Sequence, residues 1–367
     1  MQFLCKREAL CSAVSQVMRG VSPKAVNPAL EGICIRMEQN AVVLTGYDLE
    51  IGIRTRIEAE CTQPFTFVVN ARLFSEMTRR MTGEDICLAI DENLNAVLSS
   101  DDTKCRITAM SAEEFPALPV VESMTKTAIP QPVLRSMIMQ SHFAASTKVD
   151  KPIMTGLLFE ADHDDFYVVA MDRYRLALRQ EHVPGIGTFR YVVPKKALME
   201  LVGMLKDDQE AICEFSTNGK HIVFSANGFE LFARLLEGQF HNFRSSIPSD
   251  CKTTVTTNTK DILGCAERCS LFINDKHKAP MRCTFGDDAM QIFCKTGIGE
   301  IDDKIPCEIE GEGVTIGMSN RYVMEALRVC EGDRIKLHMS GCNKVVKITP
   351  LEGESFVYLI MPIQLKN

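Results

Sequence analysis

The residues in this chain best placed to do chemistry are cations that recur where helices are expected to begin. Arg72 in NARLF, Lys195 and Lys196 in PKKAL, and Arg321 in SNRYV each fall in the first turn after an Asn, Pro or Ser start signal. That is an unfavourable end for a cation, because the helix macrodipole favours carboxylates there and each such charge forgoes ~0.3–1 kcal/mol. The spacing extends the pattern. Arg72 and Arg79 lie seven residues apart, as do Arg321 and Arg328, while Lys195 and Lys206 lie eleven apart, all separations that return to one side of a helix. Arg80 adjoins Arg79 and is counted with it, and the apolar stripe expected on the same helix is Leu73, Phe74, Met77 and Met81. A single basic helix face is most often solvated surface. Three equivalent ones, placed against the dipole, point to a phosphate-lined polymer held by its backbone and not read at its bases. Without tryptophan and with 7% aromatic residues the chain has few stacking platforms for single strands, so duplex is the expected form. The formal net charge of −7 then means that the remaining surface is acidic and repels phosphate elsewhere.

Catalytic and metal-binding patterns are missing. The seven histidines, His142, His163, His182, His221, His241, His277 and His338, form no close ligand pair. Asp-rich DHDD at 162–165 reads as a turn between strands, and NGKH at 218–221 lacks the flanking Gly and Ser or Thr of a phosphate loop. The GIG triplets at 185–187 and 297–299 do not sit between a strand and a helix as a dinucleotide site requires. The 15 cysteines contain no CxxC pair, and most lie in apolar stretches such as DICLAI, AICEF and QIFCK, so they read as reduced core residues. No enzyme activity, metal or cofactor is expected. A sequence-specific regulator would need a base-reading helix, and no helix-turn-helix signal is present.

The elements that carry the cations belong to a repeat. PALEGICIRMEQNAVVLTGYDLEIGI from residue 28 faces PIMTGLLFEADHDDFYVVAMDRYRLAL around residue 152, with Pro28 and Pro152, Gly32 and Gly156, and Asp48 and Asp172 each 124 positions apart. FTFVVNARLFSEM (65–77) and FRYVVPKKALMEL (189–201) keep that offset, and a weaker third copy runs through APMRCTFGDDAMQIF (279–293) and VTIGMSNRYVMEAL (314–327). Three domains are expected, 1–124, 125–248 and 249–367. Each starts with an amphipathic helix, with Leu10, Ala13, Val14 and Val17 or Leu134, Met137, Ile138 and Ser141 as its stripe. Alternating strands follow, as in Leu49, Ile51 and Ile53, then a second helix with Leu198, Leu201, Val202 and Leu205, and further strands with turns at Asn218-Gly219 and Asn227-Gly228. The fold class is α+β, two helices on antiparallel sheet three times over. Neither the N-terminus nor any later stretch reads as a signal or membrane-spanning segment, and a cytoplasmic protein is expected.

With these features in place, the chain resembles the bacterial DNA sliding clamps, the β subunits of DNA polymerase III. The resemblance is carried by TGYDLEIGI (45–53), VVNARLFSEMTRRM (68–81), SAEEFPALP (111–119), MDRYRLAL (171–178) and the terminal YLIMPIQL (358–365). It implies a non-catalytic processivity factor, a ring of two head-to-tail chains with clamp domains around duplex DNA, and the basic helices on the inner wall. It adds Lys24 in VSPKAVNPAL as a further DNA contact, and places Lys104 and Cys105 of one chain against Leu271 and Phe272 of the other. It also implies a groove between the second and third domains for a short apolar peptide of the polymerase III catalytic subunit, the clamp loader, repair polymerases, mismatch repair proteins and DNA ligase. The matching groove positions are Met154, Met171, Arg175, Leu176, Ser245, Ser246, Leu359, Met361, Pro362 and Ile363. A final strand alternating Phe356, Tyr358 and Ile360 toward the core, stopped by Pro362, would leave Met361 and Ile363 to line it. The chain departs from the usual family pattern at Arg173-Tyr174, where a small residue and His are common, at His241 where Pro is usual, at Gln364 where Arg is frequent, and in VNPALEG (26–32); the first three bear on peptide preference.

Overall fold

A computed structural model describes residues 1–121, 126–274 and 276–365. The border expected at 124/125 lies outside them. The chain packs as two compact units, Met1–Pro132 with Lys196–Leu235, and Val133–Lys195 with Leu236–Asn367. Six α-helices are present among the described residues: α1 (Arg7–Val17), α2 (Ala71–Arg80), α3 (Gln131–Met139), α4 (Lys195–Val202), α5 (Thr259–Ser270) and α6 (Asn320–Leu327). All strand pairs are antiparallel.

The repeat read from the sequence is reproduced element by element. Strands Gly32–Glu38, Ala41–Tyr47, Ile51–Glu58 and Phe65–Asn70 recur 124 residues later as Gly156–Asp162, Asp165–Met171, Arg175–His182 and Phe189–Pro194, and the third of them recurs again as Gly299–Pro306. In the first unit the strands of the first repeat do not end the sheet: Ile51–Glu58 bonds to Phe229–Arg234 of the second repeat, with Ile53 opposite Leu231, giving nine strands. In the second unit Arg175–His182 bonds in the same way to Phe356–Ile360 of the third repeat, with Ala177 opposite Tyr358, again giving nine. Each unit also has a shorter sheet with an open edge. Thr103–Thr108 ends the five-stranded sheet, and Gly299–Pro306 ends the four-stranded one.

Helix stripes follow burial. Leu10, Ala13, Val14 and Val17 of α1, Leu134, Met137 and Ile138 of α3, and Leu198, Leu201 and Val202 of α4 are all buried. Asn70 caps α2 by accepting from Leu73 N, and Ser319 caps α6 through Tyr322 N. Two expectations are corrected. Leu49 is not a strand residue: it sits in the turn before Ile51 with φ 75°, over half exposed. Leu73 is exposed as well, and the buried face of α2 is Ala71, Phe74 and Thr78, the threonine hiding its hydroxyl by donating to Phe74 O at 2.9 Å. Of the expected turns, Asn227-Gly228 makes the two-residue hairpin with both residues at positive φ, whereas Asn218 and Gly219 belong to a four-residue loop between the pair Thr217 and Ile222.

The end of α1 presses on the strand Ala41–Tyr47 at a point where only glycine fits. A Cβ on Gly46 would strike the Val17 carbonyl and lie 2.9 Å from a Val21 methyl, and one on Gly20 would stand 2.9 Å from Gly46 O. Backbone atoms cannot give way as a side-chain tip can. Gly46→Ala is expected to destabilise the first unit by roughly 1–3 kcal/mol, seen as a lowered urea midpoint, and a midpoint equal to wild type would show that the contact relaxes freely.

Candidate nucleic-acid interface and peptide groove

On α2, Arg72, Arg79 and Arg80 are exposed. Glu76 lies among them and accepts from Arg79 at 2.8 Å and from Arg80 at 3.0 Å. On α6, Arg321 bonds Glu325 at 2.8 Å, and Arg328, the C-cap residue, reaches Glu267 of α5 at 3.1 Å. Arg321 and Arg328 therefore do follow one helical course. The α4 expectation is corrected: the helix stops at Val202, a turn through Gly203–Met204 follows, and exposed Lys206 lies beyond it, with its backbone N–H bonded to the Gln131 side chain at 2.8 Å. Lys195 and Lys206 thus share no helix face. Lys196 ion-pairs with Asp48 and, at 3.7 Å, with Glu50, whereas Lys195 is half-buried. Burial lowers the Lys195 pKa, the charge of Arg175 lowers it further, and Glu325 opposes both. Lys24 stands exposed on its loop, whose turn is held by Ser22 donating to the Lys24 carbonyl at 2.9 Å.

The pairs of Arg79 and Arg80 with Glu76, and of Arg328 with Glu267, are solvent-exposed and individually worth ~0–1 kcal/mol, whereas the carboxylates of Asp48 and Glu325 are largely covered. Glu76 and Glu325 were visible in the sequence as helix neighbours of their arginines. The pairing of Lys196 with Asp48 joins residues 148 apart and had no sequence signal.

The groove residues converge in the second unit. Leu176 and Leu359 are buried in a cluster with Leu158, Val169, Phe240 and Phe243, and Met171, Tyr167, Ile247 and Val345 pack half-exposed against it. Tyr167, Ile247 and Val345 were missed, since nothing in their spacing marks them. The short 3-10 turn Phe243–Ser246 carries Ser245 and Ser246, and is held from behind by Arg244, which stacks on Phe243 and Tyr167 and pairs with the buried Glu160.

The strand Phe356–Ile360 corrects the alternation expected of it: all five residues are buried. Phe356 and Tyr358 stack at 4.8 Å, with Tyr358 edge-on to Phe143, while Val357 and Leu359 enter the groove cluster on the opposite face. The strand is thus covered on both sides. After it the backbone is tied twice, by Met361 N to Tyr174 O and by Ile363 N to Gly317 O, both at 2.8 Å. Pro362 is half-buried between them, and Met361 and Ile363 remain 46% and 39% exposed, as a surface for apolar contact requires.

Arg175 is the pivot. Its side chain is 5% exposed, donates to Asp172 at 3.2 Å and to Glu325, and lies over the rings of Tyr322 at 4.4 Å and Phe143 at 5.8 Å. Burial works against the Glu325 charge, but Arg175 and Arg321 outweigh it and hold the Glu325 pKa below its ordinary value. Met154 borders the same region, half-buried, its carbonyl accepting from Ser146 N at 2.8 Å.

The four expected contact residues at the open edges are found at the surface. Lys104 is exposed and Cys105 half-buried on the edge strand Thr103–Thr108. Leu271 is 73% exposed, and the half-buried Phe272 ring lies against Gly299 of the other edge strand, 2.7 Å from where a Cβ would stand. No cluster of His, Cys, Asp and Glu among the described residues could hold a metal, and no described helix is long and apolar enough to cross a membrane.

Repeated units bearing exposed cationic helices, together with an apolar cluster bordered by charged side chains, are features suited to holding a polyanion and an apolar segment. The profile of the DNA polymerase III beta subunit, N-terminal domain, matches residues 1–119, that of the central domain 128–242, and that of the C-terminal domain 244–364. The beta sliding clamp of Bacillus subtilis is 29% identical over 99% of this chain and 100% of its own, and that of Halalkalibacterium halodurans 27% identical over 99% and 100%. The crystal structure of the Bacillus subtilis sliding clamp superposes with a TM-score of 0.96 at 29% identity over 100% of both chains. That of a putative DNA polymerase III beta subunit from Eubacterium rectale gives 0.96 at 27% over 99% of each. The chain belongs to the DNA polymerase III beta subunit family, the bacterial sliding clamps.

A Cβ on Gly317 would collide with the Ile363 carbonyl and come within 2.9 Å of Leu365. Gly317→Ala is therefore expected to break the tie that holds the tail. Hydrogen exchange at the Ile363 amide should accelerate by at least tenfold while the strand Phe356–Ile360 stays protected, and unchanged exchange would show that the tail is held by other contacts.

Proposed function

We propose that two copies of this chain close head to tail into a ring around duplex DNA, which tethers its partners by topology instead of by affinity. As a sliding clamp it is a non-catalytic processivity factor that binds DNA and DNA polymerase. Closure by a heterologous contact gives a ring when the rotation is complete.

The observation that carries the reading is the register at the two junctions within the chain. Ile53 faces Leu231 and Ala177 faces Tyr358, and Ile53 and Ala177 are 124 residues apart. Cys105 is the first-repeat equivalent of Leu231 and Tyr358, since each pairs with the corresponding residue of the preceding strand: Leu98, Phe224 and Ile348. Ile301, which pairs with Cys294 as Ala177 does with Ala170 and Ile53 with Gly46, is the third equivalent on the other side. Continuing the series sets Cys105 of one copy against Ile301 of the next. Lys104 then faces Asp302 and Arg106 faces Glu300, two opposite-charge pairs worth ~0.2–1 kcal/mol each. The five-stranded and four-stranded edges would together make nine strands, as at both internal junctions. Exposed Leu271 and Phe272 beside Gly299 supply apolar area at the same seam.

In this reading the domain junctions fall near 124 and 248, and Lys24, Arg72, Arg79, Arg80, Lys195, Lys196, Lys206, Arg321 and Arg328 face the duplex. Their contacts are weak and sequence-blind, which permits sliding. The groove around Met154, Leu176 and Met361 receives apolar peptides from the polymerase III catalytic subunit, the clamp loader, repair polymerases, mismatch repair proteins and ligase, in the cytoplasm.

Two experiments test it. Loaded on a nicked plasmid, the protein should remain bound in high salt and be lost once the circle is cut; release by salt alone would mean an ordinary phosphate binder. Lys104→Glu with Arg106→Glu should shift the sedimenting species to monomer, and adding Glu300→Arg with Asp302→Lys should restore the dimer. A dimer that persists in the first pair, or is not restored in the second, would refute the register.

A further inference from the structure

Between the loop 145–151 and the turn Asp172–Tyr174 lies a cavity of about 190 Å³. Five cations line it, Lys148, Lys151, Arg173, Arg175 and Arg321, against two carboxylates, Asp150 and Asp172. Both carboxylates are already engaged. Asp172 accepts from Tyr174 N at 2.8 Å, from Arg175 N at 3.1 Å and from Arg175 Nε at 3.2 Å, and Asp150 accepts from Arg173 at 2.8 Å. Lys148 and Lys151 are exposed and make no ion pair among the described residues. Glu325 in addition holds Arg175 and Arg321, so five cations stand against three carboxylates and the excess is the two unpaired lysines.

Ala145, Ser146, Thr147, Met154 and two tyrosines complete the lining. The Tyr174 ring, 55% exposed, stacks on Tyr322 at 6.5 Å and 22°, and Met154 adjoins them. Tyr174 is also the residue whose carbonyl holds Met361 N, so Met361 adjoins the Tyr174 wall of the cavity.

We propose that this cavity is a subsite for an acidic side chain, and that the segment fitting this groove is a peptide whose apolar anchor sits on Met361 and Ile363 with an Asp or Glu beside it. The inference rests on the groove reading above. The carboxylate enters between Lys151, Lys148 and Arg173, where it meets the two unpaired lysines, and the adjoining residue packs on the Tyr174 ring. A nucleic-acid strand fits less well, because its evenly spaced phosphates would meet Asp150 and Asp172 as well as the cations.

The test is fluorescence anisotropy on the full chain with labelled nonapeptides that share a Leu-Leu-Phe anchor and carry Glu, Gln or Lys at the two preceding positions. The Glu peptide should bind on the order of 5- to 10-fold more tightly than the Gln peptide at low salt, the Lys peptide more weakly than either, and the spread should shrink as salt is raised. In the Lys151→Ala, Arg173→Gln variant the Glu-to-Gln ratio should fall to within twofold. Equal affinity for the Glu and Gln peptides overturns the subsite while leaving the groove intact. Displacement of the Glu peptide, but not the Gln peptide, by a dT20 oligonucleotide would also overturn it, in favour of a phosphate site. Failure of all three peptides to bind would refute the groove reading itself, and the subsite with it.

Discussion

A β-strand at the margin of a sheet presents a row of unpaired N–H and C=O groups, and satisfying that row is the constraint on which the rest of this structure depends. Each repeat has two such margins. Where one repeat follows another in the chain, the margin of the earlier (Ile51–Glu58 or Arg175–His182) is met by a strand of the later (Phe229–Arg234 or Phe356–Ile360), in the same register both times. This is why the middle repeat is divided between the two compact units: its strands complete the sheets of both neighbours. The first margin of the first repeat and the last margin of the third have no such neighbour among the described residues, and they carry cations on one strand and carboxylates on the other.

The second organising feature is that several of the cations are held by carboxylates. Glu76 gathers Arg79 and Arg80, Glu325 gathers Arg175 and Arg321, and Asp48 takes Lys196. The exposed pairs on Glu76 contribute little to stability, but they keep long side chains ordered near one another and lower the charge seen from a distance. Weak, sequence-blind contacts suit a sliding clamp, since strong or specific ones would impede movement.

Glu325 joins the two functional regions of the second unit, since it accepts both from Arg321 on the cationic helix and from Arg175 beneath the groove. Arg175 is in turn fixed by Asp172 and by the rings of Tyr322 and Phe143. A buried guanidinium with its partners satisfied in this way sets the position of the turn that carries Tyr174, and through the Tyr174 carbonyl the position of Met361. The groove is shaped from below by charge and from the sides by apolar packing.

Much of this was legible beforehand. The constant offset of 124 predicted strand after strand, because equivalent positions in a repeat face the same packing problem and keep the same residue types. Helix stripes such as Leu10, Ala13, Val14 and Val17 were correct for a local reason: periodicity states which side of a helix is apolar. Periodicity does not state where a helix ends or what covers its other side. Lys206 was misplaced by extending α4 past Val202, and Leu73 by assuming that every apolar residue of α2 is inside. The terminal strand was read as half-buried from its alternation, yet Val357 and Leu359 are covered by the second repeat, a contact between residues nearly two hundred positions apart that no local pattern records. The sequence by itself thus determined the repeat, the fold class and which residue types gather on which helices, since these depend on neighbours along the chain. Only the tertiary structure decided which cations have carboxylate partners, which strand edges stay open and how the groove floor is assembled, since each of these depends on residues that folding alone brings within reach of one another.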